Sequence, residues 1–320
     1  MNDLEREIIN FLALGSIKGV GFESLRRLTE KGINFSDVIA SSSTEEVSQL
    51  LRSAGARLSS DSGVPWSETR DRAIGRAQEI NDRLLAIGAT VLFRSNDAYP
   101  SQLLDLPDAP HWLFVQGNVD ILSKASVAVV GSREPTDEGL WLAKYVGFHL
   151  RDWSCPTVSG LALGIDQEIH IASLRCGVPT IAFLGTGIFS DYPRNSERLR
   201  HDIVRLGGAV VTEYLPNETY SAKNFVKRNR LQAALANTLI PVEWSLKSGT
   251  SHTVRYAASL ERPIACLRLP FGKSPDWLQS DIAKKASTFV VPQQAQEFSQ
   301  FIQRGLSVNL RREVRQLSLF

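Results

Sequence analysis

From Val127 onward the apolar positions come in short unbroken runs, separated by segments of helical spacing. Val127, Ala128, Val129 and Val130 run straight into Gly131, Ser132 and Arg133, and a helical pattern follows. An unbroken apolar run of this length reads as a parallel strand covered on both faces. The alternation recurs. Strands are expected at 126–130, 156–158, 179–184, 209–212, 238–242 and 263–268, and helices at 137–150, 165–176, 195–206, 226–236 and 250–260. Repeated strand–helix–strand units imply an α/β fold with a doubly wound, mainly parallel sheet.

Upstream, Leu4, Ile8, Phe11 and Leu12 have helical spacing, Gly19-Val20-Gly21 breaks it, and Leu25 and Leu28 resume it. Short helices are expected up to about residue 55, then a Ser-, Gly- and Pro-containing loop over 56–66. A helix follows from Arg70 to Gly88, a strand from Thr90 to Phe93 and a turn at Asp108-Ala109-Pro110. After Pro270 the pattern weakens to a strand at Phe289–Val291 and a helix over Gln294–Gln303. This divides the chain into a helical region over 1–65, a sheet domain over 66–292, and a terminal helix with a polar, basic tail over 293–320.

Charge is nearly balanced, with 36 Lys+Arg against 34 Asp+Glu. A uniformly basic nucleic-acid coat is excluded, so any contact with DNA must come from a local patch. Cys155, Cys176 and Cys266 are far apart, odd in number and without a CxxC pair, which argues against a disulfide framework or a zinc site. Met1-Asn2-Asp3-Leu4-Glu5 lacks the basic start and apolar core of a signal peptide. No apolar run approaches membrane-spanning length, so a cytoplasmic protein with no membrane partner is expected.

The Gly131-Ser132-Arg133 turn follows a buried strand, at the carboxyl edge where open α/β sheets bind ligands. Backbone N–H groups there, with the positive end of the next helix, make an anion site, and Arg133 adds a fork suited to phosphate. Lys223, Lys227, Arg228 and Arg230 form a second basic group, expected to meet Arg133 across the strand ends and neutralise phosphates. Ser159, Gly160, Gly164, Gly185 and Gly187 let a backbone approach phosphate closely, or let helices pack on strands; Gly131 and Gly160 are preferred as ligand contacts. Ser248, Gly249 and Thr250 open a helix, where they cap it or hold phosphate. Asp166, Glu213 and Glu243 are read as groups that order arginines or cap helices, not as an acid–base pair. His170 and Phe225 are read as packing residues. No catalytic set, metal site or cofactor site is expected, and the Gly131 turn lacks G-x-G-x-x-G.

Taken in order, these motifs resemble the DNA-processing protein DprA (Smf) family. The series is Gly131-Ser132-Arg133; Ser159-Gly160-Leu161-Ala162, Gly164-Ile165-Asp166 and His170; Leu184-Gly185-Thr186-Gly187; Tyr192-Pro193 with Asn195; and Glu213. It continues with Phe225 and Arg228-Asn229-Arg230, then Val242-Glu243, then Ser248-Gly249-Thr250. The resemblance runs from Asp97, through Tyr99-Pro100, Leu103 and Gly117, to Pro270. It implies an extended Rossmann-like domain that grips single-stranded DNA by its phosphates, is not an enzyme, forms a homodimer and helps load the recombinase RecA. The family usually has proline after the phenylalanine, where this chain has Val226. A C-terminal winged helix, found in many members, is expected to be absent.

Ile17–Leu28 resembles a helix-hairpin-helix within a SAM-like region. Two readings of it stand: a turn that holds DNA phosphate, or a hairpin used for packing. Gln316-Leu317-Ser318-Leu319-Phe320 looks like the bacterial sliding-clamp-binding pentapeptide, carried on a flexible tether over Leu306–Arg315. Leu317, Leu319 and Phe320 would fill an apolar groove, and Gln316 would hydrogen-bond at its entrance. Two rivals remain. One is a nucleotide sensor or phosphoribohydrolase resembling the LOG enzymes, whose Pro-Gly-Gly-x-Gly-Thr loop is here Ser248-Gly249-Thr250-Ser251-His252-Thr253. The other is a clamp-bound adaptor in a defence system.

Overall fold

The computed structural model describes residues 2–58, 64–271 and 274–317. It opens with five helices, α1 (Asp3–Ser16), α2 (Phe22–Glu30), α3 (Phe35–Ala40), α4 (Thr44–Ser53) and α5 (Trp66–Ala86). A hairpin of β1 (Ala89–Phe93) and β2 (Trp112–Gly117) follows. Strands and helices then alternate: β3 (Val127–Gly131), α6 (Asp137–Trp153), β4 (Thr157–Ser159), α7 (Ile165–Arg175), β5 (Thr180–Phe183) and α8 (Glu197–Arg205). Next come β6 (Ala209–Thr212), α9 (Ala222–Leu235), β7 (Thr238–Val242), α10 (Thr250–Ser259) and β8 (Ala265–Arg268). The last elements are α11 (Asp281–Lys285), β9 (Ser287–Val290) and α12 (Ala295–Leu317).

Seven strands join in the order β1-β2-β6-β5-β4-β3-β7. The run from β6 through β7 is parallel, and β1 and β2 extend it antiparallel. A parallel pair of β8 and β9 continues from β7 through the Leu239–Ile264 bridge. The unbroken apolar run of β3 serves two cores, because side chains alternate faces along a strand. Val127 and Val129 pack with α6, α7 and α12, whereas Ala128 and Val130 pack with α9 and α10. Helices on both faces thus explain why β3 shows no polar positions.

The helical region does not stand apart from the sheet. Phe11 of α1 is fully buried, with its ring 4.8 Å from Trp112, 5.6 Å from Phe93 and 5.9 Å from Phe114. These residues share one apolar cluster with Leu25, Leu51 and Ala77.

Three boundaries differ from the sequence pattern for physical reasons. α5 begins at Trp66 because Thr44 Oγ1, on another helix, accepts the Trp66 backbone N–H at 2.9 Å. α9 begins at Ala222, behind a polar first turn that carries no periodic signal. α12 does not end near Gln303, and the segment expected as a flexible tether is helix through Leu317. Gly305, inside this helix, lies against the Thr238 side chain, where a Cβ would overlap Thr238 Oγ1. Gln316 and Leu317 close this helix, whereas Ser318, Leu319 and Phe320 lie outside the described residues. Among the described residues, no helix is long and apolar enough to cross a membrane.

Candidate functional site

β3 pairs with β4 on one side and with β7 on the other, so the chain changes direction across the sheet at β3. Crevices at such switch points lie outside the carboxyl ends of the strands. An open cavity of about 470 Å³ sits there, lined by the Gly131–Glu134 turn, Asp166, Tyr220, Phe225, Asn229 and the Ser248–Thr250 start of α10. Ser132 is pinned in the turn. Its N–H donates to Glu243 O at 3.1 Å and its Oγ accepts the Glu134 N–H at 3.2 Å. The Arg133 guanidinium lies 5.7 Å from the Phe225 ring centre and joins no ion pair among the described residues. No side chain caps α10. Thr250 Oγ1 instead donates to Gly131 O at 3.0 Å, and Ser248 Oγ to Ser245 O at 2.7 Å. The positive end of α10 and the Arg133 fork therefore face the same space.

Of the second basic group, Arg228 borders this cavity, whereas Lys223, Lys227 and Arg230 are not among its lining residues. Residues two apart on a helix point in nearly opposite directions, and Arg228 and Arg230 follow that rule. Arg228 turns under the cavity floor. It is 2% exposed and donates to Gly160 O at 2.7 Å and to Phe183 O. Burial lowers its guanidinium to about 10, against the opposing Asp166 carboxylate, and Arg133 pushes the same way as burial. Arg230 turns to the other side. Its guanidinium clasps Glu213 at 2.6 and 2.8 Å and reaches Asp108 at 2.9 Å. Burial alone would lower Arg230, but the Glu213 and Asp108 carboxylates reverse this and hold it above the ordinary arginine value. Lys227 faces α2, 3.9 Å from Glu23 and 5.1 Å from the Phe22 ring. Asn229 lines the cavity as Arg228 does, donating from Nδ2 to Gly249 O at 3.2 Å.

Several glycines serve close packing. A Cβ at Gly160 would overlap the Arg228 guanidinium, and one at Gly185 would sit 2.6 Å from the Phe225 ring. Gly164 starts α7 at φ +79, beside the carbonyls of Ser132 and Arg133. Gly131 borders the cavity but is hemmed in by Val242 O and Ile165. Ser159 is buried beneath it, donating to Val129 O at 2.7 Å. Gly19, in the α1–α2 turn, lies against the Arg57 backbone, whose N–H donates to Gly19 O at 2.8 Å, so packing occupies this turn.

The carboxylates are committed to the fold. Asp166 accepts the Gly160 N–H at 3.1 Å, and burial raises its pKa. Glu243 accepts the Thr136 N–H at 2.9 and 3.1 Å, at the start of α6, over the space left by Gly139. His170 is fully buried with Nδ1 2.8 Å from Thr180 Oγ1, and burial lowers its pKa to about 3. Phe225 packs with Tyr192 and Tyr220 at 5.0 and 5.2 Å. Among the described residues, no group of three or more His, Cys, Asp or Glu is placed to hold a metal. Among the cavity residues without a motif signal are Tyr220, 48% exposed, and Gln232, buried with Nε2 unpartnered among the described residues.

Comparison with known proteins places this geometry. The family model for DNA recombination-mediator protein A matches residues 90–302. Protein Smf of Escherichia coli is 34% identical over 210 residues, covering 64% of this chain and 55% of that protein. The X-ray structure of DNA processing protein A from Streptococcus pneumoniae aligns with a TM-score of 0.62 at 27% identity, covering 90% of this chain and 97% of that one. A Helicobacter pylori DNA processing protein A, solved for its single-stranded DNA binding mode, aligns at 0.58 and 24% identity, covering 68% and 96%. The chain spans about half the length of the curated relatives it matches, 55% and 59% for two of them. With the strand order, the switch-point crevice and the Gly131-Ser132-Arg133 turn all in place, the chain belongs to the DNA recombination-mediator protein A family, that of Smf and DprA.

Proposed function

We propose that this chain binds single-stranded DNA by its phosphates in the crevice beyond β3 and β7, and catalyses no reaction on it. One observation carries the reading: the Gly131–Arg133 turn, the uncapped start of α10 and the Arg133 guanidinium converge on one open cavity. Fixed N–H dipoles and a cation recognise phosphate without reading sequence. Tyr220 and Asn229 at the wall suit the sugar or base of the same nucleotide. Asp166 and Glu243, tied to backbone N–H groups, are poor candidates for a general base, which disfavours phosphoribohydrolase chemistry.

Recombination mediation requires that bound DNA be handed on. The proposed recipient is RecA, the proposed assembly a homodimer, and the proposed tether to the sliding clamp is Gln316–Phe320. The test is fluorescence anisotropy of labelled single- and double-stranded oligonucleotides across a salt series. Wild type should bind the single strand more tightly, and Arg133→Ala should weaken binding and flatten the log–log salt slope by about 0.7, one phosphate contact. Binding indifferent to Arg133 would overturn the reading.

A further inference from the structure

The helical region carries a second cavity, of about 560 Å³, that shares no lining residue with the strand-end crevice. Ile17, Val47, Leu51, Trp66 and Ala73 give it an apolar floor. Four cations from three parts of the chain stand around it: Lys18 in the α1–α2 turn, Arg52 at the end of α4, and Arg72 and Arg76 on α5. Glu45 lies among them, and Glu68 pairs with Arg72, leaving the rim positive among the described residues. Among the described residues, Arg76 reaches only the Ser16 carbonyl, at 3.4 Å. Arg72 and Arg76 are also one helical turn apart, where like charges repel. Trp66 is 4% exposed, and its Nε1 has no hydrogen-bond partner among the described residues. A buried indole N–H usually finds an acceptor, so this one is a donor left open.

We infer that this groove docks an acidic peptide segment bearing one bulky apolar side chain. The apolar side chain fills the floor, its neighbouring carboxylates meet the Arg52, Arg76 and Lys18 rim, and a peptide carbonyl or carboxylate takes the Trp66 N–H. The occupant follows from charge complementarity together with the floor. Nucleic acid would match the rim but not the aliphatic floor.

The test pans a displayed library of random heptapeptides on the full chain, then measures anisotropy of the enriched peptides with a fluorescein label. Enriched peptides should carry Asp or Glu beside Leu, Ile, Phe or Trp. Their affinity should fall about tenfold or more in Arg52→Glu/Arg76→Glu and by less in Arg52→Gln/Arg76→Gln, which keeps the aliphatic stems. Circular dichroism of both variants checks that the helices persist, and single-stranded oligonucleotide affinity should not move. Absence of enrichment, enrichment of basic or neutral peptides, or affinity indifferent to both variants would overturn the proposal. So would charge reversal that weakens oligonucleotide binding instead, which would assign the groove to nucleic acid.

Discussion

The Glu213 carboxylate is 2% exposed and both its oxygens are held by Arg230. Arg230→Ala leaves that charge buried and unpaired, a change that costs about 3–5 kcal/mol in comparable pairs. Urea denaturation should therefore show a large loss of stability for Arg230→Ala and almost none for Arg133→Ala, whose guanidinium joins no ion pair among the described residues. A stable Arg230→Ala protein with lost DNA affinity would return Arg230 to the binding surface. His170 makes a second prediction at this scale. Its pKa falls from the usual 6.5 to about 3 on folding, so the folded state binds fewer protons than the unfolded one. The neutral ring's contribution is intact above 6.5 and is lost as the pH drops toward 3, at up to about 1.4 kcal/mol per unit. Stability measured from pH 7 to 4 should fall less steeply in His170→Gln; an unchanged slope would remove His170 from the acid response.

The start of α10 separates binding from stability. A Cβ at Gly249 meets nothing within 4 Å, and the helix has no side-chain cap. Gly249 already holds a helical φ of −57 and ψ of −33 that Asp adopts without strain, so Gly249→Asp should leave the melting temperature level or raise it, since an acid favours the positive end of a helix, while its negative charge repels phosphate and weakens oligonucleotide binding. Loss of both together would mean that the site is merely structural. This element also shows what the sequence carried. The alternation of β3 through β8 was legible because each strand is covered on both faces and each helix on one. The Gly131-Ser132-Arg133 turn was legible because it follows such a strand. The destination of Arg228 and Arg230 was not, because a triplet spelled in sequence says nothing of the side of the helix each residue takes. Nor was Trp66 as the start of α5, since its capping group comes from Thr44. At Phe11 the helical region and the sheet share one core, so Phe11→Ala should cost about 3–5 kcal/mol and leave a single unfolding transition. Separate transitions by far-ultraviolet dichroism and tryptophan fluorescence would show two units.

At the scale of the whole molecule, the proposed binding surfaces sit on different supports. The strand-end crevice is built from β3, α9 and α10, whereas α12 carries the chain as far as Leu317. Phe298 and Ile302 are fully buried against the α6 side of the sheet and anchor that helix. At 1.5 Å per residue, Leu317 lies roughly 22 Å along the helix beyond Ile302. A clamp-binding peptide displayed from such an arm needs no contact with the crevice. Deleting 316–320 should therefore leave the melting temperature and single-stranded DNA affinity as in wild type, while binding to a purified bacterial sliding clamp, read by surface plasmon resonance, disappears. Restoring only Gln316 and Leu317 should not recover it, because the apolar pocket would still lack Leu319 and Phe320. Clamp binding that survives the deletion would refute the tether. A fall in stability or DNA affinity would instead show that the terminal residues pack on the body of the protein.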